Sequence, residues 1–368
     1  MLCHHSMMSN TFSSPKKTTL IITSTFKFPP DKSILPGLPD DVAKYCLALV
    51  PRWHFPSMGG VSRSWREYIK SKEFITVRKL AGLLEELIYM LIMDSDLNES
   101  RWEVMDSQGK QRQTIPPAPY PANSGFGVAV LNAKLLVLGG CALVDENSVV
   151  LANVYQYDCY LNSWSELRPM NVGRYDFACT EVGGKVYVAG GYGEGGKSLS
   201  SVEVFDPDTG TWRVIESLRR PRWGCFGCGI GGKLYVMGGR SSFTIGNSKA
   251  VDIYNPEKAT WREINNGRVM VTAHAVLQNK LFCLEWKNQR RLAVFNPRDN
   301  TWNDVAIPVA GSVRVGFRFG IMEGKLLLIS LEEEAAYGAL FYDPVANQWL
   351  TSHIKPTGHC LYCVTIMS

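Results

Sequence analysis

Five times along this chain an aromatic residue is followed by Asp or Asn, and Trp stands six residues after that. The copies are Tyr157-Asp158 with Trp164, Phe205-Asp206 with Trp212, Tyr254-Asn255 with Trp261, Phe295-Asn296 with Trp302, and Tyr342-Asp343 with Trp349. Their Asp/Asn positions lie 48, 49, 41 and 47 residues apart. A constant short spacing inside a variable long period marks a repeated strand pair whose connecting loops are free to change length. Such repeats build binding platforms more often than reaction centres.

Each Trp repeat has an upstream partner. A short apolar run follows a tight turn ending in Lys134, Lys185, Lys233, Lys280 or Lys325, and these lysines keep phase with the tryptophans. The residues before each Lys are turn formers: Asn132-Ala133, Gly183-Gly184, Gly231-Gly232, Gln278-Asn279 and Glu323-Gly324. Gly and Asn tolerate the positive φ of a tight hairpin. Another apolar strand precedes each turn. The order is strand a, hairpin, strand b, loop, strand c ending at the aromatic-Asp/Asn pair, turn, and strand d starting near Trp. Four antiparallel strands in 45 to 50 residues is the period of a propeller blade.

Three b strands end in Gly-Gly: Gly139-Gly140, Gly190-Gly191 and Gly238-Gly239. With the downstream aromatic and the later Trp, these resemble the kelch repeat, in phase over residues 87 to 366. Glycine permits a sharp backbone turn where blades crowd together, and the Trp is expected to fill space between neighbouring blades.

The two ends of the repeat region complete each other. Leu87–Ile92 reads as a b strand with no hairpin before it, and Val104-Met105-Asp106 matches a c-strand ending. Arg112 stands where the Trp of that copy is expected, and after Trp349 one more a-type strand, Cys360–Ile366, is supplied. The expectation is a six-bladed kelch β-propeller over residues 85–368, its first blade closed by the C-terminal strand. Closure removes open sheet edges.

Residues 34–84 have a different character. Val42, Cys46 and Leu49 share a helix face, as do Val61, Trp65 and Ile69, and then Phe74, Val77, Leu80 and Leu84. Three short helices are expected, the second starting after Gly59-Gly60, because glycine weakens a helix. The series Leu38-Pro39-Asp40-Asp41-Val42, Leu47, Val50-Pro51, Phe55, Val61, Trp65-Arg66, Ser71, Phe74 and Arg78 resembles the F-box. An F-box placed directly before kelch repeats is the pairing of the plant F-box/kelch family. The resemblance implies docking on an S-phase-kinase-associated adaptor that links to cullin and RING subunits, with Leu38, Pro39, Val42, Leu47 and Pro51 as contacts. It thereby implies a substrate-recognition subunit of an SCF-type E3 ubiquitin ligase, cytoplasmic or nuclear. For Leu47, packing inside the small domain is the competing reading.

The bulk numbers agree with a small α-helical domain before a repeat ring. The chain has 368 residues, 45% hydrophobic and 20% charged, and a net charge of +5 that argues neither for nucleic acid nor for a membrane. No segment reaches the roughly 18 to 20 apolar residues of a spanning helix. Residues 1–33, free of acidic residues until Asp31 and rich in Ser and Thr, read as a disordered leader. Ten cysteines include Cys225/Cys228 and Cys360/Cys363. Both pairs fall in strands, where residues three apart face opposite ways, so they read as small buried hydrophobes rather than a metal clamp.

The F-box enters the ring on the side of the a–b and c–d turns, so the b–c and d–a loops are expected to capture a protein substrate on the opposite face. Candidates are Arg174, Tyr175, Arg219, Arg220, Arg222, Trp223, Trp286, Arg290 and Arg314. Exposed Arg and Trp are common anchors, and the arginines suggest an acidic degron. Kelch repeats often keep an Arg for packing within the blade at the positions of Arg174 and Arg222, which gives both a structural alternative. Three b–c loops read as long and polar. The six histidines form no metal-ligand series, and there is no nucleophile elbow or phosphate loop. No catalytic residue, metal or cofactor is expected, and His274 reads as a core residue. A pure scaffold or a kelch-type metalloenzyme are the competing functional classes.

Overall fold

The structure is a computed structural model and describes residues 33–94, 99–120, 124–241, 246–308, 316–331 and 338–368. The disordered-leader reading, Arg314 and the acidic run Glu332-Glu333-Glu334 lie outside the described residues. The chain divides into two compact units, residues 1–50 and 51–368.

In the first unit a turn closed by Leu38 N–H on Leu35 O leads into α1, Asp40–Ala48. Asp40 and Asp41 occupy the first turn, where a carboxylate meets the positive end of the helix dipole. The helix buries Ala43, Leu47 and Ala48. The face carrying Val42, Cys46 and Leu49, which the apolar spacing marks as inward, is exposed instead.

The second unit opens with a 3-10 turn, Arg52–His54, and three helices: α2 Phe55–Val61, α3 Arg63–Lys70 and α4 Lys72–Leu80. Among the described residues there are therefore four α-helices before the strands, not three. Ser62 and Ser71 accept hydrogen bonds from Trp65 N–H and Phe74 N–H and so cap α3 and α4. Gly59-Gly60 lies inside α2 rather than before it. The helix that carries Trp65 and Ile69, α3, does start after Gly59-Gly60, and the glycines lie in the additional helix, where a Cβ on Gly59 would stand 2.9 Å from the flexible end of the Leu161 side chain.

Six four-stranded antiparallel sheets follow. Blade 1 takes strand a from His359–Met367 and b, c and d from Glu86–Asp94, Glu99–Met105 and Gln111–Thr114. Its N-terminal b strand pairs with the C-terminal strand from Glu86↔Met367 to Met93↔His359. The other blades run in chain order, 127–167, 178–215, 223–264, 271–306 and 317–352.

The five-fold motif has a single structural meaning. The aromatic and the Trp face each other across strands c and d, as in Phe205↔Trp212 and Tyr342↔Trp349, with ring centroids 4.8 to 5.3 Å apart. The Asp/Asn carboxyl or amide oxygen accepts backbone N–H bonds in the c–d turn, for example Asp158 from Tyr160 and Leu161. The indole N–H then reaches the preceding blade: Trp164 donates to Pro116 O, Trp212 to Arg168 O, Trp261 to Glu216 O and Trp302 to Asn266 O, at 2.8 to 3.0 Å. All five a–b hairpins named above have two consecutive positive-φ residues. Cys225 packs between blades 3 and 4 and Cys228 between blades 4 and 5, on opposite sides of their sheet.

Helices α2 to α4 sit on the c–d turn end of the ring. Tyr160, in the c–d turn of blade 2, is 5.7 Å from the Phe55 ring and 5.8 Å from the Phe74 ring. Arg78 lies over Phe55 at 5.0 Å, and buried Arg52 donates to Tyr89 Oη and Ser368 Oγ. The b–c and d–a loops therefore emerge at the other, distal end.

Candidate binding surfaces

Helix α1 carries the first surface. Leu38, Val42, Tyr45 and Leu49 are 40 to 48% exposed, and their spacing of four, three and four puts them on one stripe. Pro39 is the N-cap, and Pro51 is exposed. Leu47 is buried, which leaves it a packing residue. Tyr45 and Leu49 are not among the contacts the resemblance implies; apolar periodicity placed Leu49 on a packed face and does not say which of two faces is left open.

The distal end carries the second. Arg174 and Arg222 are buried at 0 and 2% exposure and take no part in it. Arg174 donates to Glu203 Oε1 at 2.7 Å and to the carbonyls of Gly190 and Ser201. Arg222 pairs with Asp252 at 2.8 Å and reaches the carbonyls of Gly238 and Ala250. Burial pushes the Arg174 pKa down, and the Glu203 carboxylate opposes that shift. Desolvation is also why the pair must be complete: either charge alone in this site would be uncompensated. The missed signal is an acid three residues before the repeat's Asp/Asn, Glu203 before Asp206 and Asp252 before Asn255, on strands otherwise apolar.

The buried arginines act as roots. The residue after each is displayed, Tyr175 after Arg174 and Trp223 after Arg222, and the next adopts a left-handed conformation, Asp176 at φ 52° and Gly224 at φ 60°. Gly-Gly makes room for the root. A Cβ on Gly139 would stand 2.6 Å from Arg174 O, and one on Gly190 2.5 Å from Arg222 O.

Three displayed rings form a ladder. Tyr175 and Tyr192 are 5.1 Å apart, and Tyr192 stacks on Trp223 at 4.6 Å and 23°. Arg240 caps Trp223 at 5.9 Å. Backbone bonds exchanged between Tyr175 and Tyr192 fix the first step. All three rings are half-buried and Arg240 is exposed. Tyr192 follows Gly-Gly, and Arg240 ends strand b of the next blade; neither position has a repeat signature that sets it apart.

The remaining candidates scatter around this ladder. Arg219 and Arg220 are exposed, and Arg220 pairs with Glu263 at 3.3 Å. Trp286 is 60% exposed in the b–c hairpin of blade 5, its N–H on Met270 O. In that blade Glu285 replaces the first glycine, and Arg268 pairs with it and with Asp304. Arg290 lies on strand c of the same blade. The b–c loop of blade 2 is not simply polar: it folds into a hairpin, Cys141–Val144 with Asn147–Val150, that exposes Leu143, Val144 and Val149.

Among the described residues no three His, Cys, Asp or Glu side chains are grouped to hold a metal. His274 is not sealed in a core. It lies in the wall of the central channel, its ring 4.5 Å from Phe226, and burial holds its pKa down to about 4.

Comparison with known proteins places these features. The F-box domain family model matches residues 35–76, and the KLHDC2/KLHL20/DRC7 Kelch-repeats domain model matches residues 125–330. An F-box/kelch-repeat protein of Arabidopsis thaliana is 57% identical over 339 residues, covering 91% of this chain and 90% of the relative. A putative F-box/kelch-repeat protein of the same plant is 36% identical over 348 residues, covering 90% and 97%. The solved structure of YjhT shares the fold at a TM-score of 0.53 and 15% identity, over 68% of this chain and 90% of that one.

Proposed function

The chain belongs to the F-box/kelch-repeat family, and from that premise we propose that it is a non-catalytic substrate-recognition subunit of an SCF-type E3 ubiquitin ligase. The observation that carries this reading is the open apolar stripe of α1. An amphipathic helix whose exposed face is apolar is suited to a groove on a partner. Leu38, Pro39 and Val42 supply contacts to the S-phase-kinase-associated adaptor, with Tyr45 and Leu49 continuing the stripe and Pro51 following it. Leu47 supports the helix from its buried side.

The distal face captures the protein to be ubiquitinated. Tyr175, Tyr192 and Trp223 offer rigid aromatic surface, and Arg219, Arg220 and Arg240 offer cations for a client with acidic residues. Trp286 extends the candidate surface towards blade 5, and Arg290 and Arg314 stay candidates by their place in the sequence. Replacing Leu38 and Pro39 by Ala is expected to abolish co-purification with the adaptor while the melting temperature stays unchanged. Full adaptor recovery from that variant would refute the assignment. Replacing Tyr192 and Trp223 by Ala is expected to stabilise the client in cells with adaptor binding intact.

A further inference from the structure

The six inner strands enclose a channel of about 830 Å³, to whose wall every blade contributes. Its charged lining residues are Arg318 and Glu181. Glu181 belongs to the a–b turn end, where its carboxylate accepts the Gly184 N–H at 2.5 Å. Arg318 is the second residue of strand a of blade 6 and so lies towards the distal end. Its Nε donates to Leu361 O of blade 1 at 2.8 Å, and its Nη1 to Thr272 O of blade 5 at 3.4 Å.

Those acceptors are neutral carbonyls. Among the described residues no carboxylate comes within ion-pair distance of Arg318, and its Nη2 has no partner. Arg174, Arg222 and Arg268, rooted in the same end of neighbouring blades, each have a carboxylate. The wall around Arg318 is aromatic. Phe126 and Tyr362 lie 4.8 Å apart, and Phe226 and His274 4.5 Å apart. The Tyr362 hydroxyl is occupied by Phe126 O, and His274, held neutral at physiological pH, adds no charge. A half-buried guanidinium with no carboxylate partner among the described residues, beside aromatic rings in a channel of mixed polar and apolar lining, is suited to an anion with an apolar body.

We propose that the central channel binds a small organic anion, a carboxylate carried on a flat apolar body, with Arg318 taking the carboxylate and Phe126, Phe226 and Tyr362 flanking the body. The volume is that of a small-molecule site, typically about 300–1,000 Å³. The competing role for Arg318 is to tie three blades together through their carbonyls, and binding separates the two.

The test is a calorimetric titration of the full chain with 2-naphthoate and with its neutral analogue 2-naphthamide. The expected result is one naphthoate per chain, bound at least about tenfold tighter than the amide. The substitution R318Q should erase that difference, and R240Q on the distal ladder should leave it. Equal binding of the two probes, no binding of either, or a preference that survives R318Q overturns the proposal. Loss of the preference in R240Q instead would put the anion on the rim and equally overturn it. Should R318Q fail to fold, the wild-type comparison of the two probes and a crystal soaked with naphthoate decide; density outside the channel sinks the idea. None of these readings depends on adaptor binding or client turnover.

Discussion

The two ends of the propeller use the same chemistry to opposite effect. At the c–d turn end, Phe55, Phe74 and Tyr160 close on one another under Arg78, and Arg52 is buried against Tyr89. At the distal end, Tyr175, Tyr192 and Trp223 stack in a row under Arg240 with their edges open to water. Aromatic residues and arginine are interface formers in both places. What differs is whether the chain itself supplies the partner. Helices α2 to α4 cover the first cluster, so it contributes stability. No described element covers the second, which leaves its apolar area available to another molecule.

The largest expected effect lies at the covered end. Phe74→Ala removes a fully buried ring from the centre of the cluster and should lower stability by about 4 kcal/mol, measured by chemical denaturation. A change below about 1 kcal/mol would mean that the helices contribute little to the ring. Next come the roots of the distal display. Glu203→Ala leaves the Arg174 guanidinium buried without its carboxylate and should cost about 3 kcal/mol. It should also unfasten Tyr175, so client capture would fail together with stability.

The channel wall gives an effect of intermediate size that depends on pH. His274 has its pKa lowered from 6.5 to about 4 in the folded chain, so between those values the unfolded chain binds more protons. Stability from this group is present above about pH 6.5 and is lost as pH falls towards 4. His274→Phe should flatten the acid limb of the stability profile by about 2 kcal/mol relative to wild type, less than the full shift because the ring borders channel water. Parallel profiles for the two proteins would show that the imidazole does not titrate there.

The smallest effects on stability, and the largest on binding, belong to the open end. Trp223→Ala should cost less than about 1.5 kcal/mol, since the ring is only half-buried, yet should remove client capture. Arg220→Ala breaks an exposed ion pair and should change stability by less than about 0.5 kcal/mol. If these two variants destabilise as much as Phe74→Ala, the contrast between the ends fails.

Much of this was readable from residue spacing. A cross-strand aromatic pair, an Asx-type turn and an indole bond to the previous blade all need fixed local separations, so they leave a period in the sequence. Site residues are less visible. Arg174 and Arg219 are both basic residues in d–a loops, yet one is fully buried and the other exposed; their repeat positions hint at this, and the acid on a distant strand decides it. Gly59-Gly60 reads locally as a helix breaker, yet both residues lie within α2, where Gly59 passes close to the Leu161 side chain. The exposed side of α1 was likewise ambiguous, because Val42, Cys46 and Leu49 have the spacing of a packed face.

Sequence alone therefore determined the repeat unit and the number of blades, because these rest on hydrogen bonds and packing between residues at constant separation; the split first blade followed from the two incomplete copies at the ends of the repeat region, and the F-box from a family resemblance. Tertiary structure decided which charges are neutralised, which aromatic groups are covered and which channel arginine has no carboxylate among the described residues. Those properties depend on partners contributed by other blades, and burial and electrostatic pairing are set by distance in space rather than by distance along the chain.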